Sequence, residues 1–220
     1  MNKGKLIVFE GPDFSGKSTQ IKLVKDELKN LKFNNFLYTR EPGSHLPESS
    51  YYCEEVRNFI LNNDLTPEQE AVLFAESRYE HTKEMIKYIN DGFNILCDRY
   101  IISSFAYQGY AQNIGKEKIY ELNRATIDLL KENQVSICTF KFDISKATWE
   151  ERKAKRLQAE SADSIESKNI HDKVFEFYND MEIYNYFVSD LDINSYQINA
   201  NGSINEIHES VFYQIKELIL

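Results

Sequence analysis

Two glycines, a lysine and a serine carry the first chemistry in this 220-residue chain. Gly11, Gly16, Lys17 and Ser18 stand at the spacing G-x-x-x-x-G-K-[ST], inside Gly11-Pro12-Asp13-Phe14-Ser15-Gly16-Lys17-Ser18-Thr19. The glycines let the loop curl so that its backbone N–H groups converge on phosphate oxygens, a convergence that β-carbons would obstruct. A helix opening near Lys17 aims its positive end at the same anion. Lys17 is expected to reach the β- and γ-phosphates of a nucleoside triphosphate, and the Ser18 hydroxyl to ligate Mg²⁺. The pattern predicts a nucleoside-triphosphate site.

The elements that must hold this loop are legible around it. Leu6-Ile7-Val8-Phe9 is a short apolar run rich in β-branched residues, as a fully buried parallel strand requires. Ile21, Leu23, Val24, Leu28 and Leu31 give the following helix its apolar stripe. Further strands are predicted over Phe36–Thr39, Phe93–Cys97, Val135–Phe142 and Tyr196–Asn199. Between them lie helical patterns over Glu54–Leu61, from Thr66-Pro67 to Asn90, over Ile102–Gln108, over Glu117–Asn133 and over 146–157. Ile170 to Val188 reads as one helix, and Ile204 to Leu220 as the last. Thr66 is the expected cap and Pro67 the first-turn residue of the longest helix. Strands alternating with helices predict an α/β domain whose mostly parallel sheet is covered on both faces. Ligands in such sheets bind beyond the carboxyl ends of the strands. The polar residues at those ends are the loop itself, Arg40-Glu41, Asp98-Arg99 and Asp143.

Composition narrows the function classes. A formal charge of −9 argues against broad nucleic-acid binding, which needs a basic footprint. Any nucleotide must instead be gripped by a local group of arginines and lysines. Cys53, Cys97 and Cys138 are scattered, form no CxxC and read as reduced, mostly buried thiols. No apolar run approaches the roughly 18 residues of a membrane span, and the apolar stretch before Glu10 is too short for a signal peptide. A soluble, cytoplasmic protein of one domain over 1–220 is the expectation.

Five motifs together resemble one family. Glu10-Gly-Pro-Asp-Phe-Ser-Gly-Lys-Ser-Thr, Arg40-Glu-Pro-Gly, Leu73-Phe-Ala-Glu-Ser-Arg78, Asp98-Arg-Tyr and Ser103-Ser-Phe-Ala-Tyr-Gln-Gly109 are similar, in order and spacing, to those of thymidylate kinases. The resemblance implies a three-layer α/β/α P-loop kinase fold with a five-stranded parallel sheet and a mobile helical lid, here about 146–167. It implies ATP as donor, Mg²⁺, and a homodimer. By the same resemblance Asp13 lies near the acceptor sugar and phosphate; the residues alone also allow an Asx turn. Arg99 is implied to grip the acceptor's 5′-phosphate, which suits a guanidinium fork. Asp98 is the best Walker-B-like carboxylate, on Mg²⁺ directly or through water. Glu41 either assists at the metal or pairs with Arg40.

Base selection is implied for Phe74 and Arg78, which share a helix face four residues apart. The pattern alone would make Phe74 a core residue; the resemblance makes it the stacking partner of thymine, with Arg78 donating to the ring O4. Ser104 and Gln108 fall where the family contacts the base edge, Tyr107 where it crowds the 2′ position, and Tyr178 where it walls the pocket. Arg57 is a further candidate for the acceptor phosphate.

The chain departs from the pattern in two places. Phe14 stands where family members carry Arg or Gly in the loop, so Arg152 and Arg156 of the lid become the expected cations on the γ-phosphate, with Lys153 and Lys155 behind them. The family's Asp-Arg-x-Glu reads Asp163-Ser164-Ile165-Glu166. The function expected is transfer of the γ-phosphate of ATP to dTMP. The alternatives are a kinase of relaxed acceptor choice, such as dUMP or a modified pyrimidine, and a nucleotide-binding regulatory module without transfer.

Overall fold

A computed structural model describes residues 3–47, 51–159 and 166–219. The strands are β1 (Lys5–Glu10), β2 (Phe36–Arg40), β3 (Asn94–Asp98), β4 (Ser136–Asp143) and β5 (Asn194–Asn199). They form one sheet in the order β2-β3-β1-β4-β5, every neighbouring pair parallel. The first strand is therefore the central one. Leu6 and Val8 point to one apolar cluster and Ile7 and Phe9 to another, as the two-residue strand period dictates. The first cluster packs the sheet on α3 (Pro67–Asn90) and α5 (Lys116–Glu132), through Met85, Ile89, Ile127 and Leu130. The second packs it on α1 (Lys17–Asn30) and α9 (Ile204–Ile219), through Val24, Leu28, Val211 and Ile215.

Local chemistry sets the helix ends. Thr66 Oγ1 accepts from Gln69 N at 3.3 Å while Gln69 Oε1 accepts from Thr66 N at 2.9 Å. This reciprocal box opens α3 where the sequence placed it and contributes about 1 kcal/mol. The remaining helices are α2 (Tyr51–Asn62), α4 (Ile101–Ser104), α6 (Lys146–Ala159), α7 (Glu166–Asn179) and α8 (Met181–Val188).

Two elements differ from the sequence expectation. The helix expected over Ile102–Gln108 is only briefly α-helical and widens to a π-helical stretch over Phe105–Ala111. That stretch seats Gly109 against the α8 helix, where an added β-carbon would lie 3.1 Å from a Phe187 ring atom. The single helix expected from Ile170 to Val188 is two. Asp180 turns extended (φ −90°, ψ 109°), and its carboxylate accepts from Glu182 N and Ile183 N at 2.9 and 3.1 Å, restarting the chain as α8. Cys53, Cys97 and Cys138 are buried, and none is in a disulfide.

Candidate active site

The loop between β1 and α1 is shaped by left-handed backbone at Gly11 (φ 149°), Phe14 (φ 66°) and Gly16 (φ 96°). Gly16 caps α1 without a side chain, so the first-turn N–H groups face the loop's hollow. Into that hollow turns Lys17, 5% exposed. Its ammonium donates to Gly11 O at 2.9 Å, Pro12 O at 2.8 Å and Ser15 Oγ at 3.3 Å. Burial, then the charge of Arg99, lowers its pKa to about 8.

β3, the strand next to β1, ends in Asp98. Ser18 Oγ donates to Asp98 Oδ2 at 2.7 Å, and Asp98 Oδ1 is buried with no hydrogen-bond partner. A hydroxyl beside a carboxylate with one orphaned buried oxygen suits a hydrated Mg²⁺, which favours oxygen ligands and keeps several waters. Among the described residues no cluster of three His, Cys, Asp or Glu side chains offers a metal cage. The Glu41 carboxylate does not pair with Arg40, and the Glu41 backbone N–H donates to Asp98 O at 3.0 Å. Arg40 binds Glu54 at 3.2 Å, whereas Glu41 takes Arg78 Nε at 2.6 Å and lies 3.3 Å from His81 Nδ1. The reason is depth: Glu41 is buried beneath α3, where Arg78 is its available counter-charge.

Arg99 follows Asp98 in left-handed backbone (φ 67°), which turns its side chain back over the donor loop. It donates to Gly11 O at 3.1 Å, to Ser103 Oγ at 3.2 Å and to Asp13 Oδ1. Asp13 Oδ2 accepts from Tyr107 OH at 2.5 Å. Burial pushes the Asp13 carboxyl up, but Arg99, His171, Lys17 and Tyr107 outweigh it and hold it well below the usual carboxylate range. The expected donor and acceptor groups thus meet on one loop.

Around them, Arg78 is 3% exposed and gives its second donor to Asn123 Oδ1 at 2.6 Å. Phe74 is half-buried and belongs to neither apolar cluster, unlike the core residue its spacing alone indicates. Ser104 and Gln108 are buried. Arg57 Nη1 is tied to Pro42 O at 2.9 Å. Arg152 reaches the loop at Ser15 O (3.2 Å) and also Gly202 O (3.3 Å), while Arg156 stays exposed on the same helix. Lys153 and Lys155 are engaged elsewhere, with Asp172 at 3.0 Å and Glu151 at 2.6 Å. The departure at Asp163-Ser164-Ile165 lies outside the described residues.

Tyr178 is fully buried, and its hydroxyl donates to Glu10 Oε2 at 2.6 Å. Glu10 is the residue that sequence reasoning passed over. Its carboxylate also accepts from Tyr100 N at 2.8 Å, Ser103 N at 3.3 Å and Ser103 Oγ at 2.8 Å. Burial raises its pKa against those bonds. The available signal was a carboxylate ending an apolar strand directly before a glycine loop.

The family model for thymidylate kinase matches residues 9–211. The chain belongs to the thymidylate kinase family. It is 34% identical to the thymidylate kinase of Lactobacillus acidophilus, over 98% of this chain and 95% of that protein. To the thymidylate kinase of Staphylococcus epidermidis it is 35% identical, over 95% of this chain and 96% of the relative. In three dimensions it is similar to the crystal structure of thymidylate kinase from Ehrlichia chaffeensis, with a TM-score of 0.66 and 27% identity, covering 97% of this chain and 99% of that one. The parallel five-stranded fold and the family expected from the five motifs are borne out. No helix among the described residues is long and apolar enough to cross a membrane.

Proposed function

We propose that this family member transfers the γ-phosphoryl group of ATP to dTMP, giving ADP and dTDP. The observation that carries the reading is the seat of Arg99, a cation anchored on Gly11 and Asp13 of the donor loop itself. An acceptor phosphate held by Arg99 lies beside the γ-phosphate held by Lys17. In the transfer an acceptor phosphate oxygen bonds to the γ-phosphorus, and the bond from that phosphorus to the β–γ bridging oxygen breaks, leaving the pair on ADP. The acceptor oxygen is already anionic, so no general base is needed; alignment and charge neutralisation supply the rate.

Each residue has a role in this reading. Lys17 exchanges its loop carbonyls for β- and γ-phosphate oxygens, and the open N–H groups of α1 bind the same phosphates. Ser18 and Asp98 would hold Mg²⁺, which would supply neutralisation of the phosphate charge. Asp13 and Tyr107 flank the sugar, Phe74 stacks on the base, and Arg78 donates to it. Arg57 backs the acceptor phosphate. Arg152 moves from the Ser15 carbonyl to the γ-phosphate, with Arg156 following as the lid closes and excludes water. We take 1–220 as one kinase domain that works as a homodimer. Exposed Phe59 and Leu61 on α2 and Val72 on α3 support that pairing, which sedimentation tests.

The test is Mg²⁺-dependent ADP release from ATP with dTMP, dUMP, dCMP, dGMP, UMP and thymidine each supplied in turn, beside Lys17→Ala. A strong dTMP response that the variant abolishes supports the reading. Equal response to several nucleotides makes it a kinase of relaxed acceptor choice. ATP binding with no response to any acceptor overturns transfer and leaves a regulatory nucleotide-binding module.

A further inference from the structure

His171 was assigned nothing by the motifs, yet it stands against the acceptor carboxylate. On α7, its Nδ1 lies 2.9 Å from Asp13 Oδ2, close but not aligned as a straight hydrogen bond. Tyr107 OH already donates to that oxygen, and Arg99 takes the other. The Asp13 backbone carbonyl accepts from Trp149 Nε1 of α6 at 2.8 Å. The two helices that flank residues 160–165 therefore both land on one residue of the donor loop.

Aromatic contacts reinforce the landing. The Phe14 ring stands edge-on at 5.4 Å from the His171 ring and 6.3 Å from Trp149. Trp149 in turn packs on Phe175 of α7 at 4.7 Å, and Lys153 of α6 bridges to Asp172 of α7 at 3.0 Å. The ring at position 14, which brings no charge to the phosphates, instead holds the imidazole in place.

From this geometry we infer that His171 is a positioning residue for phosphoryl transfer. It fixes the Asp13 carboxylate through Nδ1, and so fixes the guanidinium of Arg99, when α7 seats on the donor loop. The inference rests on the proposed transfer between ATP and a nucleoside monophosphate. Without His171, Tyr107 is the remaining partner of Asp13 Oδ2, and the carboxylate can swing about that single contact and carry Arg99 with it. A displacement near 1 Å at such a site costs about 10²-fold in rate.

The test uses the full chain with H171A, H171N and H171Q. Asparagine places an amide nitrogen where Nδ1 stands; glutamine places it where Nε2 would be. Rates are measured with ATP and dTMP varied separately, and each variant is melted. The expected result is a kcat for H171A and H171Q lowered by about 10- to 100-fold, KM for ATP little changed, and H171N close to wild type. A wild-type kcat in H171Q, or an H171N as slow as H171Q, overturns the role of Nδ1. A loss of kcat that follows the melting temperature equally in all three variants overturns positioning in favour of packing. The wild type separates the two readings. If it shows no dTMP-dependent ADP release, the proposed function fails; if it is active and H171Q matches it, only this inference fails.

Discussion

Arg78 Nε and Glu41 Oε2 meet at 2.6 Å, with the two side chains only 3% and 5% exposed. The pair joins α3 to the end of β2, and Asn123 holds the far side of the same guanidinium. Charge, geometry and burial together fix one orientation of Arg78. Removing one partner of a buried ion pair strands the other, at a cost of about 3–5 kcal/mol. Glu41→Gln should therefore lower the melting temperature and raise KM for dTMP. Its Mg²⁺ titration should match wild type, because the Glu41 carboxylate is engaged by Arg78. A shifted Mg²⁺ requirement would return Glu41 to the metal.

Arg78→Ala removes the donor proposed for the base. A charge-assisted hydrogen bond of about 1.5–3 kcal/mol corresponds to a loss of about 10- to 150-fold in dTMP affinity. Affinity for ATP should hold. Calorimetric titration of each nucleotide separately reads the difference.

Lys17 gives stability and ATP affinity opposite pH trends. Burial lowers its pKa to about 8, below the ordinary lysine value. As pH rises from about 8 toward about 10.5, the unfolded chain keeps a proton that the native protein has released, so this group makes the native state gain stability. Below about 8 the cost of the buried ammonium is fully present. ATP needs that ammonium, so its affinity should weaken above about pH 8. Melting curves and ATP titrations over the same pH range test both trends, and Lys17→Met should flatten each.

Asp98→Asn keeps an acceptor for the Ser18 hydroxyl and removes the charge. Residues that orient a metal through its waters typically contribute 10- to 100-fold to affinity or activity. The variant should need correspondingly more Mg²⁺, by about 10- to 100-fold, with ATP binding in the absence of metal unchanged. Titrating Mg²⁺ at saturating nucleotides decides it.

What the sequence disclosed was local. The strand, loop and helix around Lys17 are contiguous, so spacing and periodicity suffice to draw them. Thr66 with Gln69, and Asp98 at a strand end, are equally short-range. Glu41 was not legible, because its neighbour in sequence is Arg40 while its neighbour in space is Arg78, brought there only when α3 packs on the sheet. Tyr178 and Glu10 meet across 168 positions, and no period connects them. The π-helical stretch escaped for a different reason: seven residues of mixed aromatic and small side chains fit a wider turn as well as an α-helix. His171 lay in the middle of a helical stripe, where an isolated histidine looks like any other polar position.

The place of β1 in the sheet has a consequence for how the protein is made. Leu6 pairs with Ile95 on one side and Ile137 on the other, so β1 leaves the ribosome before either of its partners and is enclosed only when β4 has followed. At about 5–20 residues per second, it waits roughly 4–18 s for its first partner strand and longer for the second. Through that interval Leu6-Ile7-Val8-Phe9 has open edges on both sides, the condition under which nascent strands attract chaperones or one another. The strand most protected in the finished enzyme is the one most exposed during its synthesis.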